Sequence, residues 1–137
     1  MAELLDTNVI VRYLVETPES IPAKFRGVFP FFDDLAHGKQ KAYLPPLVLF
    51  QTFFVLTSFY KVPTDETAEK LTALLSFKGI STAEKAILCA CLRLLQESKL
   101  DLVDAYILAY SKAKGFKGVY SFDKDLQRAG LALLPIG

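Results

Sequence analysis

ELLDTNVIVRYL, residues 3–14, places an ionisable residue where an apolar run ends. Leu4 and Leu5 lead into Asp6, and apolar residues resume with Val9, Ile10 and Val11. Residues 2–6 read as a short buried strand, and Asp6 or Thr7 as the cap of a helix to about Leu14. The same strand-then-helix alternation recurs along the chain. Ala42–Leu44 reads as a second strand, and Pro45-Pro46 opens a helix to about Tyr60, since proline suits a first turn. Thr64–Ser76 follows as a helix and Ile80 as the start of a strand. Ser81 or Thr82 is expected to cap a helix over Glu84–Glu97. Asp101 begins another helix that runs to Lys114 and stops at Gly115. Gly118–Ser121, Lys124–Arg128 and Leu131–Leu134 read as strand, short helix and strand. Residues 21–37 carry Phe25, Val28, Phe29 and Phe32 at helical spacing, with a kink or break expected at Pro30. Short apolar strands alternating with helices predict an α/β fold with a parallel sheet covered by helices on both faces. In such sheets functional groups gather past the C-terminal strand ends, where Asp6 and Asp123 fall.

Bulk properties narrow the function. The 137 residues suit a single domain, residues 1–137, with a real core. Hydrophobic residues make up 52% and mean hydropathy is +0.29, so apolar surface is left over for a partner or a second copy. No stretch approaches the roughly 18 apolar residues of a membrane span. Glu3 and Asp6 interrupt the pattern of a signal peptide, so the expected location is cytoplasmic, with no membrane association. His37 is the single histidine and nothing near it suggests a nucleophile–base pair. Cys89 and Cys91 lie two apart in a helical pattern, so they neither pair nor chelate together. No glycine-rich phosphate loop follows the first strand. Asn8, two residues after Asp6, removes the second acid of an aspartyl-phosphatase motif.

The acids are the chemistry-bearing residues. DLVDAYILAY, residues 101–110, sets Asp101 and Asp104 three apart at a helix start, able to share a face. Capping explains Asp101 well and Asp104 less well, because apolar residues surround it. YSFDKDL, residues 120–126, ends a strand with Asp123 and Asp125; a turn or cap explains Asp125, and Asp123 reads as a site residue alongside Asp6 and Asp104. Carboxylates so gathered repel one another unless a cation intervenes. Oxygen donors without His or Cys favour Mg²⁺ or Mn²⁺. With Asp6, Asp101, Asp104, Asp123 and Asp125 set aside, sixteen Lys and Arg face ten acids, a body of +6 suited to a phosphate-rich substrate. Lys112, Lys114, Lys117, Lys124, Arg128 and Arg12 flank the acidic motifs and are expected in part to line the substrate path.

LLDTNVIVRYL, PPLVLFQTFFVLTSFY, LDLVDAYILAYSKAKG and YSFDKDL, in this order and spacing, resemble a PIN domain, most strongly the toxins of bacterial and archaeal VapBC toxin–antitoxin pairs. Each motif alone is weak, and four in register are specific. The resemblance implies a three-layer α/β/α sandwich around a short parallel sheet and an Mg²⁺- or Mn²⁺-dependent ribonuclease. It implies Asp6, Asp104 and Asp123 as metal-binding acids, Asp101 as an accessory one, and Asn8, Ser121 and Asp125 as supporting residues. It also implies an RNA substrate and a cognate antitoxin as partners. The Phe-rich segments 25–32 and 50–59 offer surfaces for an antitoxin helix or for a homodimer. The family's second acid, a Glu in the helix after the second strand, is Gln51 here. In so apolar a helix Gln51 is expected to be largely buried and to need hydrogen-bond partners. Its lack of charge implies weaker metal binding than Glu would give. The competing reading is a PIN-fold module that binds RNA or protein without cleaving.

Overall fold

The computed structural model describes residues 2–137, whose contacts gather in two compact units, one ending at Lys85 and the other Ala86–Gly137. The chain is a helix-rich α/β fold with short parallel strands.

In the first unit, β1 (Glu3–Leu4), β2 (Ala42–Tyr43) and β3 (Ile80–Ser81) form a parallel sheet with β2 in the centre. Parallel neighbours require crossovers. α1 (Thr7–Val15) and α2 (Val28–His37) connect the first pair, and α3 (Pro46–Phe54) and α4 (Thr64–Leu75) the second. Ile10, Phe32, Leu35, Leu44, Leu49, Leu56, Leu71, Leu74 and Leu75 are sealed in the core. Burying each such side chain stabilises by about 1.5–3 kcal/mol. Tyr13 stacks on Phe32 with ring centroids 4.2 Å apart.

Several local expectations are corrected. The first strand is not buried: Leu4 is 75% exposed, and Leu5 alone of the apolar lead-in enters the core. Among the described residues of this unit, β1 lies at the edge of the sheet, paired with β2. Pro30 neither kinks nor breaks a helix. It occupies the first turn of α2, where backbone N–H groups have no intrahelical partner to lose. The interruption falls earlier, between a 3₁₀ turn at Ala23–Phe25 and Val28. α3 continues into a π-helical turn at Val55–Phe59, which carries the helical run to Tyr60 as expected. Thr82 caps nothing: its hydroxyl is buried without a hydrogen-bond partner among the described residues. The Ser81 hydroxyl meets the Ala42 carbonyl instead.

α5 (Lys85–Glu97) leads into the second unit, followed by α6 (Leu102–Lys114), β4 (Gly118–Val119), α7 (Lys124–Arg128) and β5 (Ala132–Leu133). The two strands pair in parallel, Gly118 opposite Ala132 and Val119 opposite Leu133. Both are shorter than expected, so Ser121 lies beyond its strand. A Cβ on Gly118 would collide with the Ala132 carbonyl oxygen, which is why glycine begins β4. Leu108, Leu126 and Leu131 form the core, with Ile107, Val119 and Leu133 packed on it. Cys91 is buried and its thiol is pushed up to about 12 by desolvation, so it stays protonated and makes a poor ligand. Among the described residues no helix is long and apolar enough to cross a membrane.

Candidate active site

The sequence-predicted residues fall into two groups, one in each unit. In the first unit, Asp6 caps α1, its Oδ1 accepting the Thr7 N–H at 2.8 Å. Capping holds the carboxylate in place without consuming its second oxygen. Asp6, Thr7, Asn8, Arg12, Gln51 and Tyr60 are among the residues lining a cavity of about 460 Å³. The Thr7 hydroxyl donates to Gln51 Oε1 at 2.7 Å. The neighbouring Thr52 hydroxyl donates to the Val48 carbonyl, also at 2.7 Å. Gln51 therefore has the hydrogen-bond partner it was expected to need, but it is exposed rather than buried, because it sits on the cavity side of α3. With its carbonyl oxygen held by Thr7, its NH₂ is left as the group available to the cavity. Sequence reasoning missed Thr7 as a lining residue, and Thr52 behind it, whose hydroxyl lies 3.3 Å from that of Thr7. Both are buried hydroxyls, each next in sequence to a residue already singled out. Arg12 enters the same cavity, paired with Glu16 at 3.2 Å and lying over the Phe25 ring at 3.9 Å.

In the second unit, acids crowd. Asp101 caps α6, its Oδ1 accepting the Asp104 N–H at 2.8 Å. Asp123, not Asp125, caps α7, accepting the Asp125 N–H at 2.8 Å, while the Asp123 N–H donates to Ser121 Oγ at 2.9 Å. Asp125 pairs instead with Arg128. Asp104 is half-buried and shares a side-chain hydrogen bond with Asp123. Its carboxyl is pushed up to about 6 by desolvation first, then by the charges of Asp101 and Asp123, that hydrogen bond, and the charge of Asp125. Two carboxyls can hydrogen-bond only by sharing a proton. Asp104 therefore takes up a proton on mild acidification, well above the pH at which an ordinary carboxyl would. Among the described residues no three His, Cys, Asp or Glu side chains are disposed as a metal-holding group. The acids gather around the Asp104–Asp123 pair rather than as a preformed cage.

The family model for the PIN domain matches residues 4–131. The chain belongs to the PIN domain family. The match runs through both units and includes every acid described above. Among curated proteins, a VapC ribonuclease of Aquifex aeolicus (strain VF5) is 23% identical over 128 residues, covering 93% of this PIN chain and 92% of that protein. No solved structure matches the chain.

The flanking surfaces differ. In the first unit, an apolar groove of about 670 Å³ is lined by Leu47, Phe54, Phe59 and neighbours. Residues 50–59 thus supply an exposed face. In segment 25–32 only Phe32 is sealed, while Phe25, Val28, Phe29 and Phe31 are half-buried, Phe29 lying against Tyr13. In the second unit, Lys114 Nζ lies 5.9 Å above the Tyr110 ring, and Lys112 lines a groove with Arg93 and Glu97.

Proposed function

We propose that this PIN chain is a divalent-metal-dependent endoribonuclease, the toxin of a VapBC-type pair. The observation that carries the reading is the Asp104–Asp123 pair, in which carboxylates are held together at a cost that a cation would relieve. The donor set fits a hard ion: every ligating side chain is oxygen-only, and Mg²⁺ commonly binds through one or two carboxylates while keeping several waters. Asp104 and Asp123 would hold it and Asp101 would assist; the PIN motif gives Asp6 a metal-binding role as well. When bound, such an ion supplies a nucleophilic water at neutral pH and neutralises charge building on a phosphodiester. The chain's own residues orient the acids within each unit. Ser121 and the α7 cap fix Asp123, the α1 cap fixes Asp6, and Asn8 and the Gln51 amide offer donors to phosphate or water. Asp125, engaged with Arg128, supports the α7 end.

The partners that follow are RNA as substrate and a cognate antitoxin. The groove at Leu47, Phe54 and Phe59 suits an apolar helix face of that antitoxin, or a second copy in a homodimer. The working compartment is the cytoplasm. Purified protein incubated with RNA and Mn²⁺ tests the proposal: cleavage is expected, and Asp104→Asn removes it. Absence of cleavage both in this protein and in Gln51→Glu would overturn it.

Gln51 supports a second reading. Gln51 brings no charge to a cation, and its carbonyl oxygen already accepts the Thr7 hydroxyl. A PIN-fold module that binds RNA or protein without cleaving would show binding that survives Asp6→Asn and chelator, with no turnover in any metal.

A further inference from the structure

The segment FKGVYSFDK, residues 116–124, carries three rings in water. Phe122 is 86% exposed, Tyr120 71% and Phe116 60%. The burial alternates past β4: Tyr120 and Phe122 are exposed, while Ser121 and Asp123 are half-buried. One side of this extended stretch is thus committed to the carboxylate pair and the other presents rings. Lys117 and Lys124, both exposed, are interleaved with them. Rings set among lysines are ill suited to a protein interface, whose core is depleted of lysine. Unpaired nucleic acid wants the opposite, a π-face for each base and a cation for each phosphate. The apolar groove of the first unit is the contrast, since no charged side chain is among its lining residues.

We infer that Tyr120 and Phe122, with Lys117 and Lys124, form a stacking platform for unpaired nucleotides. The platform determines which phosphodiester of the strand lies at Asp123. The inference rests on the ribonuclease reading above and adds to it the residues that seat the bases and so set the cleavage position. Phe122 is the chain neighbour of Asp123, so a base stacked on its ring places the adjoining backbone beside the acids. Phe116 extends the surface through its stack on Tyr110, with centroids 6.0 Å apart. Tyr120 and Phe122 are positioning residues; the acids perform the chemistry.

The test is equilibrium binding of a labelled single-stranded oligoribonucleotide, and of a duplex of the same length, to the full chain carrying Asp104→Asn in metal-free buffer. Cleavage is then off and one repelling charge is removed. Adding Phe122→Ala is expected to weaken single-strand binding about tenfold, and adding Tyr120→Ala about tenfold more. Duplex affinity should stay the same. Phe122→Leu, apolar but without a ring, should behave as Phe122→Ala, and Phe122→Trp should retain full affinity. Single-strand affinity indifferent to both ring losses, in a protein that binds and (with Asp104 restored) cuts RNA, overturns the platform alone. Failure of the unaltered surface to bind any RNA overturns the platform and the ribonuclease reading together. Loss of self-association on ring removal, with RNA affinity unchanged, assigns the rings to a protein interface and also overturns the platform.

Discussion

The acids of the two units live in opposite surroundings. Asp6 shares its cavity with an amide, a hydroxyl and the guanidinium of Arg12, which neutralises the one other acid of the lining, Glu16. Asp104 is beset by Asp101, Asp123 and Asp125, and only protonation relieves it in the absence of a cation. Asp6, Asp101 and Asp123 all cap helices; Asp104 does not. Capping and chemistry are therefore not rival explanations for an Asp at a helix start. A cap fixes one carboxylate oxygen on a backbone N–H and leaves the other oriented. What separates the two settings is the number of carboxylates gathered at one point: three act on Asp104, whereas beside Asp6 position 51 is the uncharged Gln51.

The largest effect should come from the crowded side. Asp104→Asn keeps the shape, removes the charge and is expected to lower Mn²⁺-supported RNA cleavage about a thousandfold, or ~4 kcal/mol in the barrier. Loss of less than tenfold in kcat would move the chemistry away from this pair. Next, Gln51→Glu should make the first unit resemble the second. A carboxylate beside Asp6 is expected to tighten Mn²⁺ about tenfold by calorimetry, ~1.4 kcal/mol. Unchanged affinity would mean that Asp6 and position 51 do not share an ion.

How much of this was readable in advance follows the same division between local and distant causes. Pro46 at the start of α3, Gly115 in left-handed conformation at the end of α6 and the Asp101 cap are local signals, and each lies where the sequence places it. The exposure of Leu4 was not readable, because burial of a strand depends on whether it lies at a sheet edge. Pro30 misled because a proline looks alike in a first turn and in a break. The bond from Thr7 to Gln51 joins residues 44 apart, and no pattern within either segment announces it. Asp123 as the cap of α7 was legible in principle. Spacing alone could not choose between two acids two residues apart.

A smaller effect isolates capping from charge. Asp101→Ala removes the α6 cap and should destabilise by about 1 kcal/mol in chemical denaturation. It also lifts one charge from Asp104, so Asp104 should titrate lower in the variant, as followed by carboxyl NMR. If stability falls but the titration does not move, Asp101 is a cap and nothing more, and the crowding belongs to Asp123 and Asp125.

The smallest expected effect has a definite sign. The Asp104 carboxyl lies at about 6 in the fold against an ordinary 3.8, so the folded chain binds this proton more tightly than the unfolded chain does. Stability from this group is fully present below about 3.8 and is lost as pH rises through about 6. In metal-free buffer, lowering pH from 7.5 to 5 should raise the thermal midpoint of the parent relative to Asp104→Asn, which cannot titrate there. Saturating Mn²⁺ should reverse the trend, since a cation favours the ionised form and is displaced by protons. Equal pH slopes for parent and variant, with and without the ion, would mean that the acids of the second unit are no more strained than Asp6, and the contrast between the two units would dissolve.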